Sequence, residues 1–462
     1  MTAKARGALA LQMAFALWAA TGAPLAHAIG PDQPADSAVD QAALADSVRQ
    51  EMLHCWHAYV RYAWGHDEVR PLSRTFRDWY QQPVLMTPVD ALDALLLMGL
   101  KPQADSARAL IVERLSFDRD DRVQVFEVTI RLLGGLLSSY QMTGDQRLLA
   151  LADSLGTRLL PAFDSKTGMP YRFVNLRTGE KSDPRSNPAE IGTLLLEFGT
   201  LSKLTHKPVY YDRAKHAVMQ LYARRSKIGL VGEEIDVETG EWLSPASHVG
   251  GGIDSYYEYL LKCWKLFGDK DCERMWRTSI AALDKYLADT STGRLWYGEV
   301  DMNTGTRTAT TFGALQAFLP GVLALSGDVV RARQLERSCL AMWTLHSIEP
   351  EEIDYRTMNV LNPAYALRPE IVESAFVLHR VSGDPTTLLM GRWFFRDLVA
   401  YCRTDDGYTT LKSVVTKEKG DLQHSFFMAE TLKYLYLLFR PDALPSNAVV
   451  FNTEAHPLRR TW

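Results

Sequence analysis

Apolar runs with helical spacing are separated by a short polar turn that recurs along the chain. Its copies are Thr143-Gly144-Asp145, Phe267-Gly268-Asp269, Ser326-Gly327-Asp328 and Ser382-Gly383-Asp384, with a degenerate copy at Thr205-His206-Lys207-Pro208. Glycine suits the left-handed position that ends one helix, and aspartate suits the N-cap of the next. The first residues of the five copies lie 62, 62, 59 and 56 positions apart, so the pattern predicts two helices in each repeat unit.

A second pattern keeps the same spacing in the middle of the chain. β-favouring residues followed by a Thr-Gly turn occur at residues 174–179, 235–240 and 300–305. Each copy is typical of a small hairpin. Each central unit is therefore expected to contain two helices and then a hairpin.

A repeat of this length indicates either an open solenoid or a closed ring of helices. Residues 46–440 hold between six and seven units. Open solenoids usually carry polar caps at their ends, whereas Leu432 to Phe439 remains apolar. We therefore expect an all-α fold: a closed α/α barrel with an inner and an outer ring of helices and small β-hairpins at one end.

Acidic residues stand at equivalent places in several units, 13 to 17 positions before the turn: Glu127, Glu190, Asp254 and Glu370. Each is expected to begin an apolar helix, and equivalent helices of a barrel point the same way, so the four acids should converge. The helix dipole alone would explain one acid at a helix start. It explains less well why several acids have apolar neighbours, as Glu197 does between Leu196 and Phe198.

Such a ring of carboxylates suits two kinds of chemistry. One is cleavage of a glycosidic bond between a general acid and a general base, and the other is binding of a hard cation such as Ca²⁺. The segment Leu367–Ser374 adds Arg368, Glu370 and Glu373 at a helix start. The structural alternative for this segment is a buried Arg–Glu pair that stabilises the helix.

Composition narrows the class of protein. The chain has 462 residues, is 47% hydrophobic and carries a net charge of −4, and it has no basic block, so nucleic acid is not an expected partner. Its five cysteines show no metal-binding spacing and specify no disulfide.

The N-terminus has the pattern of a secretory signal peptide, residues 1–28. Lys4 and Arg6 precede the apolar stretch Ala8–Ala20, and Ala26-His27-Ala28 resembles a cleavage site. Residues 29–45 are expected to be a linker and residues 46–458 a single barrel domain. We expect export to a periplasm or secretion, with an endoplasmic reticulum lumen as the alternative, and no stable membrane insertion after cleavage.

Several separated motifs resemble glycoside hydrolase family 47, the class I α-1,2-mannosidases. They are Ala63-Trp64-Gly65, Val89–Asp93, Val125–Leu136, Asp254–Leu260, Leu367–Ser374, Ser425–Tyr434 and Phe451–His456. Some segments resemble the degradation-enhancing mannosidase-like branch. The resemblance implies an (α/α)7 barrel and a Ca²⁺-dependent, inverting exo-α-1,2-mannosidase whose partner is an α-mannoside oligosaccharide. We expect the protein to be a monomer.

The resemblance also implies roles for individual residues. Glu127 matches the general acid and Glu370 the general base, while Asp254 matches a third acid that either holds a water on the acid side or competes as the base. Thr453 matches the calcium ligand, through its carbonyl and its hydroxyl. Contacts with the sugar or with calcium-bound water are implied for Arg131, Glu190, Glu197, Arg368, Glu373, Phe426, Glu430 and Glu454.

The chain departs from the family pattern at a few positions. Gly252 replaces a usual Arg, Gly313-Ala314 replaces an Asp-His pair, and Ala317 replaces a Cys, so Cys339 is expected to lack its usual disulfide. These losses suggest a wider cleft. They leave two alternatives open: a catalytically weak or inactive protein that binds mannose glycans, and an α/α-barrel hydrolase for another sugar, such as a glucoside.

Overall fold

The first helix begins at Gln41 because Asp40 caps it, accepting a hydrogen bond from the Ala43 amide at 3.0 Å. The computed structural model describes residues 39–445 and 449–460. The predicted signal peptide lies outside the described residues, as does the linker up to residue 38. The predicted end of the linker at residue 45 is wrong, since the helix has already begun there.

The α-helices alternate along the chain between an outer and an inner ring. The outer helices are α1 (Gln41–Tyr62), α3 (Lys101–Arg114), α6 (Gln146–Leu159), α9 (Val209–Ala223), α11 (Lys270–Tyr286), α13 (Val329–Thr344) and α15 (Thr386–Tyr401). The inner helices are α2 (Met86–Leu97), α4 (Val125–Glu127) continued by α5 (Gly134–Thr143), α7 (Pro188–Gly192) followed by α8 (Leu195–Thr205), α10 (Asp254–Phe267), α12 (Leu319–Ser326), α14 (Glu370–Ser382) and α16 (Leu432–Phe439).

Contacts between the first and the last helices close the ring. Outer helix α1 packs against α16, each inner helix packs against the next, and α2 meets the segment that leads into α16. The inner helices are buried over most of their length, whereas outer helices such as α11 are buried on one face. The described residues therefore form seven helix pairs, and the predicted (α/α)7 barrel is confirmed.

The recurring turn has the predicted geometry. Gly144, Gly268, Gly327 and Gly383 each follow an inner helix with a positive φ, and His206 takes the same conformation in the degenerate copy. Asp145, Asp269 and Asp328 each accept a backbone hydrogen bond in the first turn of the next helix. Helix end and helix start are thus set by adjacent residues, which explains the regular repeat.

Short antiparallel strands connect each outer helix to the next inner helix, and a last pair, β21 and β22, follows α16. They are β1 (Glu68–Arg70), β2 (Thr75–Arg77), β3 (Arg122–Gln124), β4 (Phe173–Asn175), β5 (Lys181–Ser182), β6 (Arg185–Ser186), β7 (Glu234–Asp236), β8 (Trp242–Ser244), β9 (Ala246–Ser247), β10 (Ala288–Asp289), β11 (Trp296–Tyr297), β12 (Glu299–Asp301), β13 (Arg307–Ala309), β14 (Thr311–Gly313), β15 (Glu352–Asp354), β16 (Asn359–Asn362), β17 (Arg403–Thr404), β18 (Gly407–Tyr408), β19 (Leu411–Ser413), β20 (Glu418–Lys419), β21 (Val449–Phe451) and β22 (Pro457–Arg459).

The three predicted hairpins are present, and each adds one strand from the preceding unit. The sheets are β3-β4-β5, β6-β7-β8 and β9-β12-β13, and β14-β15-β16 forms a fourth of the same kind. In the fourth, Asp354 accepts from the amide of Arg356 at 2.8 Å, and Met358 takes the positive φ that glycine has in the other turns. Because glycine is missing there, the sequence pattern did not reveal this hairpin.

The last hairpin fills the barrel from the end where the inner helices terminate. Gln141, in the last turn of α5, exchanges two 2.8 Å hydrogen bonds with the backbone of Arg459. At the hairpin tip, Asn452 donates to the Ile130 carbonyl, also at 2.8 Å, much closer to the start of that inner helix. The turn between β21 and β22 therefore forms a floor inside the barrel.

Two of the acids differ from the prediction that each begins a long helix. Glu127 ends the short α4, which continues as the π-helical segment Val128–Leu133. Glu190 lies in α7, which is separated from α8 by Thr193 and Leu194. Among the described residues, no helix is both long and apolar enough for a membrane span.

Candidate active site

A cavity of about 460 Å³ opens at the end of the barrel where the inner helices begin. Its lining includes the following predicted site residues: Glu127, Arg131, Glu190, Asp254, Arg368, Glu370, Glu373, Phe426, Glu430, Thr453 and Glu454. The convergence expected from the helical repeat is therefore observed for all four acids.

Glu127 is held by a cation one turn further along the same inner helix. Its Oε2 accepts from Arg131 Nε at 2.9 Å, and Arg131 Nη1 donates to Glu454 Oε2 at 2.5 Å. The guanidinium also lies 5.6 Å from the centre of the Phe426 ring. Arg131 thus joins the barrel wall to the C-terminal hairpin and fixes the orientation of Glu127.

Both π-helical segments of the inner ring lie at this cavity. Val128–Leu133 follows Glu127, and Phe427–Thr431 follows Phe426 and contains Glu430. A π-turn inserts an extra residue and re-aims the side chains around it, and such turns are frequent at functional sites. The pattern of apolar residues does not distinguish a π-turn from an ordinary helical turn, so the sequence did not predict either one.

Glu370, the first residue of α14, is half-buried at the cavity and forms no ion pair with any described residue. Its Oε2 has no hydrogen-bond partner among the described residues, and burial raises the pKa of Glu370 to about 8 against the opposing charge of Arg368. Arg368 instead donates to Glu351, at 3.1 and 2.9 Å. The structural alternative, an Arg–Glu pair within Leu367–Ser374, is therefore wrong.

Asp254 and Glu190 flank the cavity on neighbouring inner helices. Asp254 accepts from the Ser255 amide at 2.7 Å, and burial raises the pKa of Asp254 to about 6. Glu190 pairs with Arg172 at 3.0 Å and accepts from Gln124 at 2.8 Å, and burial raises its pKa as well. A carboxyl that titrates near neutral pH, as Asp254 does, is suited to proton exchange.

Thr453 lies at the floor of the cavity, in the turn of the last hairpin. Its amide donates to the Tyr259 hydroxyl at 3.2 Å. No described residue donates a hydrogen bond to its carbonyl oxygen or its hydroxyl, and Thr453 lines the cavity together with Glu373 and Glu430. Two open neutral oxygens among carboxylates are a ligand set that suits a hard cation.

The carboxylates alone do not form a compact ligand cluster. Within the described ranges, one group of three His, Cys, Asp or Glu residues has ligand atoms that all lie within 4.8 Å of one another: Cys263, Asp269 and Cys272. None of these three residues lines the cavity. A cation at Thr453 would therefore take some of its ligands as water.

A buried lysine that the sequence analysis did not single out lies beside Thr453. Lys262 contacts Glu258 closely, lies 3.5 Å from Glu373 and donates to the Asn452 carbonyl at 3.4 Å. Burial raises the pKa of Glu373 to about 7, although the charge of Lys262 opposes this. The spacing of Glu258 and Lys262, four residues apart on one helix, was a readable signal for this ion pair.

Glu430 and Glu454 face each other in the buried wall of the cavity. Burial raises the pKa of both. The charge of Glu454 raises the pKa of Glu430 further, whereas the hydrogen bond with Glu430 lowers the pKa of Glu454.

Beneath the floor lies a fully buried charge network. His456 contacts Asp93 at 2.7 Å and Asp90 at 3.2 Å. Lys433 lies 2.6 Å from Asp93 and donates to the Ala455 carbonyl at 2.7 Å. The two aspartates raise the pKa of His456 to about 9 despite its burial, so a cationic His456 anchors the hairpin turn that carries Thr453.

Glu197 is the exception among the predicted site residues. It does not line the cavity but lies behind the floor, where it accepts from Tyr259 at 2.7 Å and from Asn452 at 2.8 Å. Direct contact of Glu197 with a sugar is therefore corrected to support of the hairpin turn, because both of its partners hold that turn in place.

The departures from the family pattern differ in their position. Gly252 lines the cavity with φ of +89°, and a side chain there would have open space, the first neighbour being Asn187 at 3.8 Å. Gly313 and Ala314 do not line the cavity, and Ala314 is buried, so only Gly252 supports the expected widening. Cys339 is a buried free thiol, as expected.

A family model decides the relationship of this chain to known proteins. The model for glycosyl hydrolase family 47 matches residues 51–460. The chain belongs to glycosyl hydrolase family 47. The glycoside hydrolase class expected from the motifs is thus confirmed, and the cavity with its ring of carboxylates is the candidate active site of this family 47 member.

Relatives with established names come from two branches of the family. The chain is 36% identical over 450 residues to alpha-mannosidase I MNS5 of Arabidopsis thaliana, covering 91% of this chain and 78% of the relative. It is 35% identical over 472 residues to ER degradation-enhancing alpha-mannosidase-like protein 2 of Mus musculus, covering 94% and 80%. It is 36% identical over 447 residues to mannosyl-oligosaccharide 1,2-alpha-mannosidase IB of the same species, covering 89% and 69%.

A solved structure confirms the architecture. The alpha-1,2-mannosidase from Trichoderma reesei superposes with a TM-score of 0.82 at 27% identity, covering 90% of this chain and 99% of that one. The family 47 barrel described here therefore has a counterpart among experimentally determined structures.

Proposed function

We propose that this protein is an inverting exo-α-1,2-mannosidase that removes terminal mannose from oligosaccharides. One observation carries the proposal: the cavity that gathers Glu127, Asp254 and Glu370 is closed by the C-terminal hairpin. A pocket with a floor admits the end of a sugar chain rather than its middle, which supports exo cleavage. The names of the relatives support mannose as the sugar.

The proposed reaction uses two carboxyl groups on opposite sides of the scissile bond. Glu127 protonates the leaving oxygen, and Glu370 activates a water that attacks the anomeric carbon from the other face. In the chain alone, however, Glu127 is ion-paired with Arg131, and Glu370 titrates at about 8. Both features oppose these roles, so the substrate or a bound cation must favour an ionised Glu370 for the proposed assignment to operate.

We propose Ca²⁺ as the cofactor and Thr453 as its protein ligand, through the two open oxygens at the cavity floor. Glu373, Glu430 and Glu454 would hold calcium-bound water. When bound, the ion would supply positive charge that favours ionised carboxylates and a site for adjacent sugar hydroxyls. Lys262 and Arg131 position these carboxylates through the ion pairs already described.

Hydrolysis of a panel of disaccharides tests the proposed reaction. Release of mannose from α-1,2-mannobiose is expected, with little release from α-1,3- or α-1,6-mannobiose or from α-glucosides. Proton NMR during the first minutes should show β-mannose as the first product. Preference for a glucoside would support a hydrolase for another sugar, and α-mannose as the first product would contradict inversion.

Isosteric variants separate catalysis from binding. Glu370→Gln and Glu127→Gln should each lower kcat by about 10²–10⁴-fold, with binding of mannobiose retained by calorimetry. Glu418→Gln is the matched control, because Glu418 is 60% exposed and pairs only with Lys412. Unchanged kcat in either active-site variant would contradict its role.

A second candidate function is binding of mannose glycans without turnover. It is favoured by Gly252, which leaves the cavity mouth open, and by the similarity to a degradation-enhancing mannosidase-like protein. Saturable binding of an oligosaccharide with no mannose release from any substrate would support this alternative.

We propose that the protein is exported, because residues 1–28 have the pattern of a signal peptide. That the protein is a monomer and does not bind nucleic acid stays a prediction. N-terminal sequencing of the protein recovered from cells should give a mature chain that starts at Ile29. Intact retention of the first residues would contradict cleavage after Ala28.

A further inference from the structure

Two cysteines lie against each other where inner helix α10 ends and outer helix α11 begins. Cys263 is in the last turns of α10, and Cys272 is in the first turn of α11. Their Sγ atoms are 2.7 Å apart, and both residues are fully buried. The chain reverses direction between them at Gly268, whose positive φ ends α10.

The three remaining cysteines lack such a partner. Cys55, Cys339 and Cys402 are also buried thiols, but no contact between any of them and another sulfur is present in the described part of the chain. Of the five thiols, only Cys263 and Cys272 are placed to react with each other.

A fixed network of polar groups holds the second cysteine in position. Asp269 caps α11 by accepting from the Cys272 amide at 2.9 Å, and it also accepts from the Tyr211 hydroxyl at 2.6 Å. Lys215 forms a close ion pair with the same carboxylate. Because the cap, the hydroxyl and the ammonium all bind Asp269, the start of α11 and therefore Cys272 have little freedom to move away from Cys263.

A metal ion fits this cluster less well than a disulfide does. Two thiolates on one tetrahedral zinc, each about 2.3 Å from the metal, would stand about 3.8 Å apart, whereas these sulfurs are much closer. The carboxylate of this cluster, Asp269, is already bound by three donors, and the ammonium of Lys215 would repel a cation. Zinc binding by the two thiols is therefore the alternative that the experiment must distinguish from a disulfide.

We propose that Cys263 and Cys272 form a disulfide when the chain folds in an oxidising compartment. The two thiols lose two protons and two electrons. The electrons pass to the disulfide of a thiol–disulfide oxidoreductase, through a mixed disulfide, and that partner leaves as a dithiol. The hydrogen bond with Cys263, together with burial, raises the pKa of Cys272. A buried neutral thiol is a poor nucleophile, so we expect the bond to form before α10 and α11 pack together.

The bond would stabilise the helix that supports the floor of the cavity. Helix α10 begins with Asp254 and carries Tyr259 and Lys262, which contact the turn that holds Thr453. Cys263 directly follows Lys262. A bond at this position would link the floor of the site to the outer ring of helices, in a chain whose Cys339 has no disulfide partner.

Peptide mapping tests the bond directly. The exported protein is denatured without reductant, alkylated, digested with trypsin and analysed by mass spectrometry. Residues 263–265 and 271–274 should appear as one linked species, two hydrogen masses below the sum of the two peptides. Alkylation of Cys263 and Cys272 in the non-reduced protein would overturn the proposal. So would one equivalent of zinc in the native protein that is lost on alkylation of these thiols.

Thermal unfolding provides a second measurement. The variant carrying C263S and C272S should unfold about 2–5 °C below the wild type, and reductant should lower the Tm of the wild type but not that of the variant. C402S is the matched control, because Cys402 is buried to the same extent and unpaired with sulfur. Its Tm should still fall with reductant. An equal effect of reductant on the double variant would overturn the proposal.

Discussion

Replacing Glu370 with Gln should lower kcat by about 10²–10⁴-fold and, at the same time, stabilise the protein increasingly relative to the wild type as the pH rises. The Oε2 atom of Glu370 is buried without a hydrogen-bond partner among the described residues, and burial raises the pKa of Glu370 to about 8. An unfolded glutamate titrates at about 4.3. Between these two values the folded state holds a proton that the unfolded state has released, so the stability contributed by Glu370 falls as the pH rises.

The size of the effect follows from the gap between the two pKa values. Each pH unit inside the window costs the wild type about 1.4 kcal/mol relative to a variant that cannot titrate at this position. From pH 4.5 to pH 7, the advantage of Glu370→Gln should therefore grow by about 3 kcal/mol, and it should stop growing above the pKa of about 8. The charge of Glu370 also raises the pKa of Glu349 and Glu430, but below pH 8 Glu370 is mostly neutral, so their shifts nearly cancel in the comparison within this window.

Urea unfolding of both proteins in the presence of a chelator, at several pH values from 4.5 to 8.5, measures this difference. The free-energy difference should rise steadily up to about pH 8 and then level off. Glu418→Gln, at an exposed position, should show no such rise. A difference between Glu370→Gln and wild type that is independent of pH would refute the reasoning that burial raises the pKa of Glu370.

Lys433→Met should destabilise the protein by about 3–5 kcal/mol, because it leaves the buried carboxylate of Asp93 without its ammonium partner. Urea unfolding measures the loss, and Lys101→Met, at a side chain that is 80% exposed, is the control. Equal destabilisation by the two substitutions would contradict a stabilising role of the buried network. Gly252→Arg should lower kcat/KM for a branched oligosaccharide relative to α-1,2-mannobiose, since the new side chain enters open space at the cavity mouth. Gly268→Arg is the control, because it imposes a similar left-handed backbone strain of about 1–2 kcal/mol at a position with no neighbour within 4 Å. An unchanged ratio of kcat/KM for the two substrates in Gly252→Arg would contradict the wider cleft.

The repeat in the sequence was sufficient to predict the barrel. The turn that ends at Gly268 and Asp269 combines a left-handed residue with an N-cap, and both are local requirements that residue types reveal directly. The hairpin at Asp354 escaped because Met358 adopts a positive φ without being glycine. Tertiary contacts, rather than local preference, determine that conformation.

The sequence predicted which acidic residues converge at the cavity, but not which residues hold those acids in place. Counting from the turn residues located Glu127 and Glu370, because equivalent positions in a closed ring face the same cavity. The partners of these acids come from distant parts of the chain: Arg368 pairs with Glu351, and Arg131 pairs with Glu454. Glu197 was predicted to face the sugar but lies behind the cavity floor. Its apolar neighbours in the sequence indicate that it is buried, but they do not indicate which way its carboxylate points.

Two buried carboxyl groups outside the cavity could not be predicted from the sequence. Glu336 and Glu349 are fully buried, and none of their carboxylate oxygens has a hydrogen-bond partner among the described residues. Burial raises the pKa of both well above that of a free glutamate. Nothing in their sequence neighbourhood distinguishes them from surface acids of an outer helix and a loop.

Mannose release from α-1,2-mannobiose, measured with CaCl₂ and then with excess EDTA, tests the central claim most directly. The wild type should release mannose with calcium, lose that activity in EDTA and recover it when calcium is restored. Thr453→Val, which removes the hydroxyl but keeps the shape and the carbonyl, should need a higher calcium concentration for half-maximal activity. Full release in EDTA would contradict the calcium site, and no release in any condition from folded protein would contradict the proposed hydrolysis.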